Sequence, residues 1–280
     1  MLTRTLGTGL DFTTVQQACN FIRDNIASDD IDILVAPGAT IGAATDANSI
    51  NADFVFGGHT VTFKTNPSNL ANTATLLGGI YMAAPSDSAG IVRFEELKLG
   101  CQQSAGRSDW PIMIDYITSL QTELVNCVVA LTYSNANIPL GRTGGSPAIH
   151  FCKNCTILIS NLASNQVTTL TFNDRFFNCI VVINSSAAVT ANGGANSNGN
   201  NTFHNYSEAI GVGSGTFANN LDGDPLFAGG TVFVGEGDSV ATMLSQNVQL
   251  TENSLLALGN ADPAYAPSID IVGNARSGGA

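Results

Sequence analysis

The chain has 280 residues, 44% of them apolar and only 11% charged, with a formal net charge of −12. That is length enough for a sizeable core. The three lysines are scattered at Lys64, Lys98 and Lys153, which excludes a clustered basic groove for nucleic acid and disfavours an anionic membrane surface.

Taken in chain order, the first element is a helix. In TTVQQACNFIRDNI, Val15, Ala18, Cys19, Ile22 and Ile26 recur at three- and four-residue spacing, the mark of an amphipathic helix. Thr13 or Thr14 is its N-cap, with Gln16 or Gln17 three residues on. IDILVAPG follows as a short buried strand ended by Pro-Gly. The rest of the chain reads as β. Apolar, β-branched runs cover 60–65, 74–83, 91–99, 111–118, 147–152 and 167–172, separated by Gly, Asn, Ser and Asp.

Three stretches are near copies: VNCVVALT (Val125 to Thr132), KNCTILIS (Lys153 to Ser160) and FNCIVVIN (Phe177 to Asn184). Aligned on Cys, they give a ladder of Cys101, Cys127, Cys155 and Cys179. The matching asparagines are Asn126, Asn154 and Asn178, extended to Asn200 in GNNTFHN. The repeat interval drifts between 22 and 28 residues on this alignment. A single strand cannot bury its apolar face, but coils stacked in parallel can. Equivalent residues then lie about 4.8 Å apart, and the Asn-Cys pair marks one corner rebuilt in each turn. A leucine-rich repeat is excluded, because its fixed leucines before the Asn are replaced by Glu123, Phe151 and Arg175. The expected fold is all-β: a right-handed, single-stranded parallel β-helix with an N-terminal capping helix. One domain spans 1–280, with a cap over 1–40, coils over 41–235 and a closing segment over 236–280.

GLDFTTVQQACNFI…IDILVAPGATI resembles the N-terminal cap of right-handed parallel β-helix proteins of the pectin-lyase-like class. NNLDGDPLFAGG (219–230) is similar to that family's Asp-Pro-x-Phe segment. Within 254–276, Ile269, Asp270, Ile271, Gly273, Asn274 and Arg276 are similar to its closing stretch, although Ser254 to Leu258 lack the family's Pro and Asp. The resemblance implies a scaffold that hosts lyases, hydrolases and structural proteins alike. Hydrolases of the class carry Asn-Thr-Asp, Asp-Asp, Gly-His-Gly and Arg-x-Lys together on one face, and calcium-dependent lyases an Arg-x-Pro-x-x-Arg. Neither set is found here.

The best remaining polar cluster is Asn173-Asp174-Arg175 beside Asp115 and Glu123, which stacked coils could bring to one face. Asp115, Asp174 and Arg175 are therefore weak catalytic candidates, and a self-paired surface patch is the competing reading. His59, His150 and His204 have no partner at metal-ligand spacing. Cys152-Lys-Asn-Cys155 has the C-x-x-C form but no second pair for zinc, so the cysteines are read as buried thiols. No cofactor or metal is expected. The function expected is that of a non-catalytic structural protein of a phage virion, such as a capsid decoration, cement or short appendage protein. Its partners would be copies of itself, as a trimer, and a major capsid protein. Its location would be the virion. The alternative is a polysaccharide lyase or glycoside hydrolase, secreted or tailspike-like, with carbohydrate as the ligand.

Overall fold

A computed structural model describes residues 1–51, 56–67, 72–83, 89–102, 112–115, 120–133, 149–161, 168–172, 174–184, 189–193, 202–205, 210–212, 221–230, 239–251 and 253–254. In chain order the elements are β1 (Leu2–Leu6), α1 (Val15–Asn25), β2 (Ile31–Val35), β3 (Thr40–Ile41), β4 (Ala47–Asn51), β5 (Thr60–Thr65), β6 (Ala74–Leu77), β7 (Gly79–Ala83), β8 (Gly90–Glu95), β9 (Leu97–Gln102), β10 (Ile112–Asp115) and β11 (Leu120–Val125). They continue with β12 (Val128–Tyr133), β13 (Ile149–Lys153), β14 (Thr156–Asn161), β15 (Thr168–Phe172), β16 (Asp174–Phe177), β17 (Ile180–Asn184), β18 (Val189–Gly193), β19 (Thr202–Asn205), β20 (Ile210–Val212), β21 (Leu221–Asp222) and α2 (Val240–Ser245).

The strands pair in parallel with the strands one turn before and after, which makes the chain a parallel β-solenoid. Its first wall is the seven-stranded sheet β1-β2-β5-β8-β11-β13-β16. The second is the eight-stranded sheet β3-β6-β9-β12-β14-β17-β19-β21. The third consists of two three-stranded sheets, β4-β7-β10 and β15-β18-β20. A turn passes from first wall to second to third, as in β5, β6 and β7. Between the walls, Leu6, Ile33, Phe63, Phe94, Leu124 and Phe176 share one continuous core with Leu76, Val129, Ile157 and Val181. Phe63 and Phe94 sit in register on adjacent strands and stack with centroids 5.3 Å apart.

The helix α1 begins as its sequence dictates. Thr14 is the N-cap, its hydroxyl accepting from Gln17 N, while the Gln17 side chain returns to the cap backbone. This capping box satisfies donors that a helix start leaves open. Val15, Ala18, Cys19 and Ile22 face the core, and the helix packs on β4. Within the expected 1–40 cap, β1 and β2 already belong to the first wall. The cap is thus the solenoid's own first turn, with α1 in place of a third-wall strand. Residues 7–12 also turn back on β1. Gly7 N donates to Phe12 O, Phe12 N to Thr5 O, and Thr5 N to Asp11 Oδ2, which occupies backbone groups that an open edge strand would present.

The first and second walls meet at the Asn corner. Asn126, Asn154 and Asn178 have φ of 54°, 55° and 53°, a left-handed conformation that Asn tolerates better than most residues. Their backbones join the turns, with Asn126 N donating to Lys153 O and Asn154 N to Phe177 O, both at 2.9 Å. Their side chains continue the column: Asn178 Nδ2 donates to Asn154 Oδ1 at 3.2 Å. The following cysteines have a role beyond apolar filling. Each thiol lies 3.3–3.4 Å from two carbonyls, one in the preceding turn (Phe94 O for Cys127, Leu124 O for Cys155, Cys152 O for Cys179) and one two residues earlier in its own turn (Val125 O, Lys153 O and Phe177 O), and shares its one proton between them. Each preceding-turn carbonyl lies two residues before the corner of that turn. The thiol is small enough for the core and still offers a weak donor.

One ladder assignment is corrected. Cys101 pairs in register with Leu131, and Val128 pairs with Lys98. Cys127 therefore stacks on Leu97, and the corner before Asn126 is Glu96, with φ 55°. Cys101 is a buried residue near the end of β9, four positions beyond Leu97. The interval from Glu96 to Asn126 is 30 residues, outside the 22–28 drawn from the cysteines. For the same reason the expected run 91–99 is two strands, bent at Glu96, and 74–83 is two strands bent at Gly78, with φ 97°. Asn200 lies outside the described residues, as do Asn173 and the segment that carries Ile269 to Arg276.

Candidate functional site

Alternation along the first wall sends Arg93, Glu123 and Phe151 outward in one column, since Glu123 is in register with both Arg93 and Phe151. Lys153 stands two residues along from Phe151 on the same face. Arg93 Nε and an Arg93 terminal nitrogen both lie 2.7 Å from Glu123 Oε2. Lys153 Nζ lies 3.3 Å from Oε1. The Glu123 side chain is 10% exposed, whereas Arg93 and Lys153 retain 35% and 30%. Burial by itself pushes the Glu123 carboxyl up. The Arg93 hydrogen bonds and charge, with Lys153 behind them, outweigh that and hold the carboxyl below its ordinary value.

Aromatic surface adjoins this ion cluster. Phe151 and Phe177 lie 6.4 Å apart at 14°, and Lys153 Nζ is 5.6 Å from the Phe151 ring centre. Further down the wall, Lys64 Nζ is 2.8 Å from Asp32 Oδ2. Chemically, Glu123 is an ionised acceptor with both oxygens engaged. It has no proton to give as a general acid, and service as a base would require it to release Arg93. The arrangement suits a clamp that ties β8, β11 and β13 together across three turns.

The proposed catalytic set does not share one wall. Arg175 is in register with Phe151, so it lies two strand spacings from Glu123 in the same column. Asp174 is in register with His150. Asp115 is on β10 in the third wall, opposite Ala83, which corrects its expected place beside Glu123. The reason is the turn order: residues 112–115 precede the first-wall strand β11 and belong to the wall before it. His59 Nδ1 lies 3.2 Å from Asp30 Oδ1, which also accepts from Thr60 N at 2.8 Å. The Thr60 bond is the main reason the Asp30 carboxyl is held below its usual range. His204 lies on β19 in the second wall.

No disulfide joins the six cysteines, all of which are buried. Burial pushes the Cys19 thiol up to about 12 and the Cys127 and Cys155 thiols well above their ordinary value. Such thiols carry little thiolate, the reactive form. An interior void of ≈ 20 Å³ sits among Leu76, Phe94, Leu99, Cys101, Leu124 and Leu131. It has room for about one water, too little for a ligand. Among the described residues, no group of three or more His, Cys, Asp or Glu is placed to hold a metal ion, and no helix is long and apolar enough to cross a membrane.

Sequence reasoning missed Arg93 and Lys153 as the partners of Glu123. The signal was present: Arg93 lies one turn before it, in register, and Lys153 lies one turn after it plus the two residues that bring a strand back to the same face.

No protein-family model matches the chain, and no curated protein matches it. Among solved structures, the pectin methylesterase from Aspergillus niger in deglycosylated form is similar over 79% of this chain and 89% of that chain. The identity is 12% and the TM-score 0.33. The chain is a parallel β-helix on the strength of its own strand register.

Proposed function

We propose that this chain is a non-catalytic structural protein, a component of a phage virion such as a capsid decoration, cement or short appendage protein. The observation that carries this reading is the use made of Glu123. The nearly buried carboxylate on the first wall is held ionised between Arg93 and Lys153, which binds successive turns together and leaves it no proton to donate. The chain's low charge content, 11% of its residues, also suits burial in an assembly, because few charges need be desolvated. Self-association as a trimer and contact with a major capsid protein belong to the same proposal, as does a virion location.

The test has two arms. Purified particles should contain the chain at fixed, symmetric copy number. Incubation with acidic polysaccharides, with and without calcium, should yield neither new reducing ends nor unsaturated products. Cleavage in the second arm would reverse the reading in favour of a polysaccharide lyase or hydrolase acting outside the cell.

A further inference from the structure

The second wall has a second covering. Its outward residues Val128, Ala130, Leu158 and Val182 are all buried. They form an apolar cluster with Phe227, Val240, Met243 and Leu244 that is separate from the solenoid core. The cover is the segment 239–251, which starts with Ser239 as the α2 N-cap and runs across β9 and β12. Among the described residues it is hydrogen-bonded chiefly to its own neighbour, residues 226–230. Ala228 N donates to Gln249 O, Gly229 N to Asn247 O, and Phe227 bridges Leu250. The Thr251 and Ser254 hydroxyls both donate to Leu226 O. To the wall itself it is tied by apolar side chains and by Lys98 Nζ, which donates to Leu244 O at 3.1 Å. The wall is shaped to receive it. A Cβ on Gly100 would overlap Val240 Cγ1 and come within 2.8 Å of Leu77 and 2.9 Å of Leu244. Ala130, directly opposite Gly100 on the next strand, is small as well.

We propose that segment 239–251 is a releasable strap, which undocks as a unit while the solenoid stays folded and so uncovers the apolar outer face of the second wall. The wall's strands are paired with one another, and their inward residues Val129, Ile157 and Val181 belong to the main core. Neither support depends on the strap. Local opening of this kind is drawn from units with few links to the rest of the fold. The proposal stands apart from the virion reading, since a strap could gate this face in an enzyme equally well.

Amide hydrogen exchange on the full chain tests it. In the native protein, the amides of Met243, Gln246, Ala228 and Gly229 should exchange at least about 100-fold faster than those of β12 and β14, through an opening almost insensitive to low denaturant. In Gly100→Val, strap protection should disappear, an apolar dye should bind, and β12 and β14 should keep their protection and their β circular dichroism. Two results would overturn the proposal. One is native exchange in which strap and wall open together with the same denaturant dependence. The other is a folded Gly100→Val protein whose strap stays protected.

Discussion

The outer faces of the first and second walls solve the same problem differently. Both are parallel sheets with one face on the common core. The first wall leaves its other face half in water and fills it with Asp32, Lys64, Arg93, Glu123 and Lys153, paired across turns. The second buries its other face under segment 239–251 and Phe227, with Leu158 and Val182 fully covered. The sequences differ accordingly. First-wall strands such as IVRFE alternate, whereas VVAL, TILI and IVVI run on without a polar break. A parallel sheet covered on both faces has that pattern. The lesson is that an unbroken apolar run on a solenoid strand announces a second covering element.

Substitutions at neighbouring positions can break that comparison. The largest effect is expected at Ile157, which faces the common core. Ile157→Asp would place an unpaired charge in it and should abolish folding, as should Val181→Asp. Soluble protein with native melting would contradict their inward placement. Leu158, the next residue, faces the strap. Leu158→Ala should cost about 2–5 kcal/mol of stability against denaturant, whereas an outward first-wall change such as Val125→Ala should cost less than about 1 kcal/mol. Equal costs would show that the two faces are not covered differently.

A smaller effect is expected at the ion cluster. Glu123→Gln should cost about 1–3 kcal/mol at neutral pH, the worth of hydrogen bonds to charged groups, less whatever Arg93 and Lys153 recover from solvent. Its sign with pH is fixed by the lowered carboxyl value. The stabilisation is complete above the ordinary glutamate range near 4.5 and is lost as the pH falls through the lower folded-state value. Denaturation midpoints of native and Glu123→Gln protein should therefore converge in acid. Parallel midpoints down to pH 2 would refute the clamp.

The remaining expected effect is a gain. Glu96 holds the left-handed corner that Asn holds in the next three turns. Burial, with repulsion from Glu95, raises its carboxyl. Asn126 Nδ2, one turn on, has no hydrogen-bond partner among the described residues. Glu96→Asn would supply an amide oxygen there and relieve the backbone, adding about 1 kcal/mol. The gain should shrink in acid, where Glu96 is protonated and its burial costs less. No gain at neutral pH would remove Glu96 from the ladder.

Much of the fold was legible because one corner repeats its chemistry. Asn126, Asn154 and Asn178 keep both residue type and position, so three turns could be aligned by eye. The alignment slipped one turn earlier, where Glu96-Leu97 replaces Asn-Cys and Cys101 offered a false match. That slip shortened the apparent turn and hid the register between Arg93 and Glu123. The capping helix was legible from its spacing and capping box. α2 was not, because six residues are too few for a helical period to show. Its docking face was written instead into Gly100, Ala130 and the unbroken runs of the second wall. Asp115 was misplaced because sequence gives the number of turns between two residues more readily than the wall on which each lies.

The central claim is vertical register, and it can be measured as a distance. Lys64, Glu95 and Val125 are successive residues of one column, so Lys64 and Val125 are two strand spacings apart, about 10 Å. The six native cysteines are buried and should not label, so paramagnetic labels can be placed on Lys64→Cys and Val125→Cys alone. Strong dipolar broadening, from labels within about 20 Å of each other, is the result expected from that spacing. Spectra equal to the sum of the two single-labelled proteins would mean that the chain does not wind around one axis.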